Sequence, residues 1–159
     1  MLDKTGVPSM KLIKSRFPEG EIKKPKAITE CYEDIPCNPC STSCPFDAIH
    51  IGEDINTPPK VDFDKCTGCG ICVYNCPGLA IFTIQELEHH NRYKIPYEFV
   101  PYPVEGELWD GVDRAGNVIC KCIIQKVSIS DRQDRTALVQ VLVDKEHKYD
   151  FVTIRRPNE

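Results

Sequence analysis

The sequence predicts an α+β protein. A small cysteine-rich region of short helices and strands comes first, and a small antiparallel all-β region follows. Three observations carry this. Cys66-Thr67-Gly68-Cys69-Gly70-Ile71-Cys72-Val73-Tyr74-Asn75-Cys76-Pro77 reads C-x2-C-x2-C-x3-C-P without a gap. A partial copy precedes it, with Cys37, Cys40 and Cys44-Pro45 in register with Cys69, Cys72 and Cys76-Pro77. After Pro103 the chain alternates apolar and polar residues between turn signals, the period of half-buried strands.

Length and composition narrow the class. The chain has 159 residues, which suits one or two small domains. It has 10 cysteines, which a secreted disulfide scaffold or a metal protein could explain. The first twenty residues hold no apolar signal-like core, being broken by Lys4, Lys11, Lys14, Arg16 and two prolines. The expectation is therefore a cytoplasmic protein whose cysteines bind metal. No apolar run reaches membrane-spanning length. The formal net charge is −4, and its distribution is uneven. Residues 1–29 carry seven Lys/Arg against three Asp/Glu, and the remainder carries 13 against 21. Such an acidic body argues against a nucleic-acid partner.

Taken in order, residues 1–29 are basic and broken by Pro8, Pro18 and Pro25. They read as an arm, either a solvated tail or a docking arm whose Leu12, Ile13, Phe17 and Ile22 a partner subunit would cover. Residues 30–95 form the cysteine-rich domain. In each half a short helical turn runs through the last cysteines and leads into a strand, Ala48–Ile51 and then Ala80–Ile84. The repeat continues past the prolines, since Pro45-Phe46-Asp47-Ala48-Ile49 mirrors Pro77-Gly78-Leu79-Ala80-Ile81. Asn56-Thr57-Pro58-Pro59 is a turn and Lys60–Asp64 a short alternating strand. Thr83 and Glu86 suggest a capping box opening a helix over Ile84–Tyr93. The adjacent His89 and His90 point in different directions and read as solvated.

Residues 96–103 are rich in proline and read as a semi-rigid linker. Residues 104–159 read as a small barrel or sandwich. Its expected strands are Glu107–Val112, a long and bulged Val118–Ile129, Thr136–Val143 and Tyr149–Ile154, with a hairpin loop at Asp113–Asn117. A β domain this short is marginal alone, so packing on a neighbour is expected. Cys120 and Cys122 share a strand face and read as small buried apolar side chains.

The spacing of Cys66–Pro77 matches bacterial [4Fe–4S] ligand runs, and the whole repeat resembles bacterial-type dicluster ferredoxins. That resemblance implies two [4Fe–4S] clusters and a crossover of the fourth cysteines. Cluster A would take Cys31, Cys37, Cys40 and Cys76. Cluster B would take Cys66, Cys69, Cys72 and Cys44. The first half departs from the pattern, because Asp34 stands where Cys66 stands in the second. Cys31 can replace it through a longer loop, and a soft thiolate suits iron–sulfur better than a carboxylate. If Asp34 holds that position instead, cluster A tends toward [3Fe–4S]. Gly68 and Gly70 let backbone N–H groups approach the cluster sulfurs. A loaded [4Fe–4S] site adds about −2 to the charge, so two would make the protein more acidic still.

The stretch Glu30-Cys31-Tyr32-Glu33-Asp34-Ile35-Pro36-Cys37-Asn38-Pro39-Cys40 is similar to the small iron–sulfur subunits of flavoprotein dehydrogenase complexes that oxidise amino acids, opines or related amines, including proline-type substrates. By implication FAD sits on a larger partner subunit, and this chain passes single electrons onward, ultimately to a separate acceptor. The sequence carries no nucleotide loop, no Cys–His–Asn arrangement and no paired acids, so no catalytic site is expected in it. The alternatives are a free-standing dicluster ferredoxin and, remotely, a structural zinc protein. The triplet with a crossover cysteine fits zinc poorly, since zinc sites usually pair C-x2-C with a distant pair.

Overall fold

The computed structural model describes residue 2 and residues 4–158. The chain begins with a short helix α1 (Met10–Lys14), capped by Ser9, whose hydroxyl accepts from Leu12 N at 3.2 Å. The cysteine-rich part follows as β1 (Lys26–Thr29), α2 (Pro39–Ser43), β2 (Ile49–His50), β3 (Lys60–Val61), α3 (Ile71–Asn75) and β4 (Ile81–Glu86). The rest is β5 (His90–Tyr97), β6 (Leu108–Val112), β7 (Val118–Ser128), β8 (Ala137–Asp144) and β9 (Thr153–Arg155), with single 3-10 turns at Asp131–Gln133 and Lys145–His147.

Seven strands form one antiparallel sheet in the order β1-β4-β5-β8-β7-β6-β9, and β2 pairs with β3 alone. The sheet curls round a core to which every one of its strands contributes, including Ile28, Ile84, Tyr93, Trp109, Ile124, Val141 and Ile154. Alternation explains β5 and β8. Asn91, Tyr93, Ile95 and Tyr97 point inward, as do Ala137, Val139, Val141 and Val143. The bulge expected in the long strand falls between Ile124 and Lys126 of β7. Strands β1 and β4 are covered on both faces. Ile28, Phe82 and Ile84 enter the sheet core, while Ala27 and Ile81 join a second core around Cys40, Cys66, Cys72, Ile49 and Val73. This explains why burial runs unbroken, without alternation, over Ala27–Thr29 and Ile81–Ile84.

The cysteine-rich part is built twice on one plan with crossed strands. Ile49 of β2 pairs with Val61 of β3, and Ile81 of β4 pairs with Thr29 of β1. Every residue in the second pair is a repeat equivalent of one in the first. The next hydrogen bonds match too. Asp62 N donates to Ala48 O at 2.7 Å and Glu30 N to Ala80 O at 2.8 Å. The strand that enters each half therefore pairs with the strand that leaves the other.

Four expectations need correction. No helix forms over Ile84–Tyr93. The stretch is a β4–β5 hairpin turning at Leu87–His89, because alternate burial from Asn91 onward outweighs the local capping signal. The carboxylate of Glu86 accepts from Ile22 N at 2.6 Å and pairs with Lys148 at 3.2 Å, so it does not reach back to cap a helix. The basic N-terminal stretch is largely integral to the fold. Ile13, Phe17 and Ile22 are 4%, 6% and 3% exposed, covered by this chain's own core, and β1 is an edge strand of the sheet. Pro96 and Tyr97 lie in β5, in register with Leu138 and Ala137 of β8, so the sheet continues through the start of the expected linker. Strand β2 is shorter than expected, and it pairs with β3. His89 is exposed at the hairpin turn.

Candidate metal centres

Two equivalent turns place the cysteines. Helices α2 and α3 each end on a cysteine in extended conformation, Cys44 (φ −71°, ψ 113°) and Cys76 (φ −74°, ψ 115°). Three residues later the backbone turns left-handed, at Asp47 (φ 53°) and Leu79 (φ 52°). That turn aims the next amide back at the sulfur. Ala48 N–H donates to Cys44 Sγ and Ala80 N–H to Cys76 Sγ, both at 3.4 Å. Bonds of this kind favour the thiolate.

The two turns deliver their cysteines to opposite cavities. One cavity is lined by Cys44, Cys66, Cys69 and Cys72, with Ala27, Phe46, Ile49, Gly68 and Gly70. The other is lined by Cys31, Cys37, Cys40 and Cys76, with Glu33, Ile35, Pro39, Pro59 and Ile81. We call them cavities B and A. Each holds three thiols of one run and the last thiol of the other. Asp34 does not line cavity A, whereas Cys31 does. Cys120 and Cys122 line neither. The Cys122 thiol donates to Trp109 O at 3.3 Å inside the sheet core.

Burial sets the state of the free thiols. Burial raises the pKa of Cys72, and the nearby Cys66, Cys69, Cys44 and Cys40 add to the rise. Burial likewise pushes Cys40 up to about 11. Such thiols ionise only when a cation or cluster compensates the charge, and binding then releases protons. Among the described residues, no three cysteine sulfurs lie within 4.8 Å of one another. The one compact group of possible metal ligands among the described residues is Asp144, Glu146 and His147, whose two acids are exposed.

The loop from Cys66 to Gly70 is held from three sides by residues the spacing does not point to. Lys26 of β1 donates to Cys66 O at 2.6 Å and Lys94 of β5 to Gly68 O at 3.3 Å. Ala27 N–H donates to Cys66 Sγ at 3.3 Å. Gly68 (φ 67°) is so close to Pro25 that an added Cβ would sit 2.5 Å from its carbonyl oxygen. Gly70, at the start of α3, lies under Leu138 of β8. In the other half Arg16 plays the part of Lys26, donating to Cys31 O at 3.4 Å and to Pro59 O at 3.3 Å, with its guanidinium 5.2 Å from the Tyr32 ring centroid. Half-buried Glu30 pairs with Arg114 of the β6–β7 hairpin, which also donates to Tyr149 O. The repeat itself is the signal that could have found Ala27, since it aligns β1 with β3. Lys26, Lys94 and Arg16 act across the sheet and leave no local mark.

The 4Fe-4S binding domain family matches residues 59–82, which include Cys66, Cys69, Cys72 and Cys76. A component of the Na(+)-translocating ferredoxin:NAD(+) oxidoreductase complex of Acetobacterium woodii is 51% identical over 49 residues, 31% of this chain and 14% of that protein. Pyruvate synthase subunit PorD of Methanocaldococcus jannaschii is 42% identical over 61 residues, 38% of this chain and 69% of that protein. A putative dimethyl sulfoxide reductase iron-sulfur subunit of Halobacterium salinarum is 29% identical over 134 residues, 80% of this chain and 45% of that protein. The Acetobacterium and Halobacterium proteins thus extend well beyond the matched stretch. No solved structure matches the chain significantly. No helix of the described residues is long and apolar enough to cross a membrane.

Proposed function

The chain belongs to the ferredoxin-type proteins that carry a 4Fe-4S binding domain, and from that premise we propose that it is the electron-transfer subunit of a multi-subunit oxidoreductase, with two [4Fe–4S] clusters. The observation that carries this is the sorting of eight thiols into two cavities of four, each set completed by the other run. When bound, such clusters accept and donate one electron with little change of shape. The residues of this chain do the rest. Cys31, Cys37, Cys40 and Cys76 hold cluster A, and Cys44, Cys66, Cys69 and Cys72 hold cluster B. Ala48, Ala80 and Ala27 direct N–H groups at sulfur, which favours the extra electron. Ile49, Val73 and Ile81 exclude water around the buried cysteines. The shared second core keeps the cavities close enough to act in series.

The partner we propose is a larger FAD-bearing dehydrogenase acting on an amino acid, an opine or a related amine, with a soluble acceptor downstream. A cytoplasmic setting goes with this, because thiol ligands stay reduced there. The similarity of 80% of the chain to the Halobacterium reductase protein favours a second reading, in which the partner is a reductase and electrons flow toward its substrate. Free-standing carriage is less favoured, since the sheet beyond β5 is extensive.

The test is anaerobic affinity purification from the native host, followed by iron, sulfide and flavin analysis. The reading expects a brown protein with iron and sulfide in equal amounts, accompanied by a flavin-containing subunit. A partner free of flavin supports the reductase alternative. A colourless protein whose thiols hold zinc rejects the iron–sulfur assignment.

A further inference from the structure

We infer that the two cavities hold their centres at unequal potentials, with cavity B the electron-accepting end, and that Ala27 in the place that Pro59 takes at cavity A, together with Lys26 and Lys94, sets the difference. This rests on the proposed function and gives the pair a direction.

The repeat makes the comparison residue by residue. Strand β1 enters beside cavity B, and β3 enters beside cavity A. Ala27 lines cavity B, and its equivalent Pro59 lines cavity A. Ala27 donates an N–H to Cys66 Sγ. Pro59 has no N–H to give. The bonds from Ala48 and Ala80 are alike in the two halves, so cavity B has one N–H···S bond that its counterpart cannot form. The first amide after the helical cysteine gives no such contrast, since Ser41 N bonds to Asn38 O and Val73 N to Gly70 O.

Fixed charge points the same way. The ligand loop of cavity B takes two ammonium groups, from Lys26 and Lys94. The leading loop of cavity A takes one guanidinium, from Arg16, and cavity A is itself lined by the carboxylate-bearing Glu33. Each N–H···S bond and each nearby cation stabilises the more negative, reduced state and so raises the potential. All ten cysteines lie among the described residues, and Cys69, in cavity B, is the exposed one. Cys69 thus gives the accepting end one ligand at the surface, although Cys66 and Cys72 beside it are buried.

The step balances simply. With centres held by Cys31, Cys37, Cys40 and Cys76 and by Cys44, Cys66, Cys69 and Cys72, one electron would pass from the reduced centre of cavity A to the oxidised centre of cavity B. No bond forms or breaks and no proton moves. A reduced flavin of the partner supplies the electron, and a soluble one-electron acceptor removes it.

The experiment is an EPR-monitored redox titration of the full chain, reconstituted anaerobically and first assayed for iron and sulfide. Wild type should show two separable one-electron waves. Lys26→Met and Lys94→Met should each lower the more positive wave and leave the other in place. Pro59→Ala should raise the more negative wave alone, bringing the two closer. Coincident waves in a fully loaded wild type overturn the inference, as do lysine variants that lower the more negative wave. A Pro59→Ala protein with both waves unmoved also overturns it. If Pro59→Ala does not fold, the lysine variants decide. A preparation that takes up no iron and sulfide removes the proposed function and this inference together, whereas a loaded protein with coincident waves removes only the inference.

Discussion

At Cys44–Ala48 and at Cys76–Ala80 the chain makes the same turn, with the same left-handed residue and the same N–H aimed at sulfur. The strands that enter the two halves agree in pairing but not in chemistry. Glu30 is paired with Arg114 in a largely covered position, while its equivalent Asp62 accepts Asp64 N in an exposed turn. Ala27 faces Pro59. Cys66 follows a short loop, whereas Cys31 sits earlier and leaves Asp34 outside its cavity. The difference teaches that the shared part positions sulfur, while the divergent part sets what surrounds it. The second half leans on β5 and β8 through Lys94 and Leu138. The first leans on the N-terminal segment and the β6–β7 hairpin through Arg16 and Arg114.

The largest expected effect breaks the comparison at its crossing point. Cys76→Ser should abolish the centre of cavity A although the residue belongs to the second run, and Cys44→Ser should abolish that of cavity B. Iron analysis should show about half the metal lost in each, with complementary EPR signals surviving. Cys31→Ala should behave like Cys76→Ser, while Asp34→Ala should leave both signals unchanged. An altered cavity A spectrum in Asp34→Ala beside an intact Cys31→Ala reverses the ligand assignment.

The next effect is on stability. The Glu30 and Arg114 side chains are 12% and 9% exposed, so Glu30→Gln leaves a largely covered cation without its counter-charge. That should cost about 3–5 kcal/mol in anaerobic denaturant unfolding. Asp62→Asn, its counterpart in the second half, should stay within about 0.5 kcal/mol of wild type. Equal losses at the two positions would erase the distinction between the halves.

The smallest effect concerns glycine. Gly68→Ala puts a Cβ at positive φ against the Pro25 backbone, and should cost about 1–3 kcal/mol and loosen the Cys66 loop. Gly78→Ala meets nothing within 4 Å and has an ordinary φ, so its midpoint in the same titration should not fall.

Much of this was legible in the residues. The alternation of Ala137, Val139, Val141 and Val143 gave β8 its inward face, and the length of Val118–Ser128 marked a bulged strand. The C-P repeat fixed the register of the two turns. What was not legible depends on partners far along the chain. Thr83 and Glu86 look like a helix cap locally, but Glu86 is taken by Ile22 and Lys148, 64 and 62 residues away. Ile13, Phe17 and Ile22 are too sparse among charges to announce burial. They become core only because β4, β5 and Tyr149 meet them, Phe17 lying 4.9 Å from the Tyr149 ring. The prolines of 96–103 read as a boundary, yet Pro96 is tolerated near the end of β5 and the sheet runs on.

The crossed pairing of β1 with β4 has a bearing on biosynthesis. The first strand of the module emerges from the ribosome more than fifty residues before its neighbour, Lys26 waiting for Ile84. Until then Cys31, Cys37, Cys40 and Cys44 are exposed to oxidant with neither pocket closed. The β1–β4 pair thus cannot close over the cysteines until about residue 86 has been made, an interval that a module with uncrossed halves would shorten.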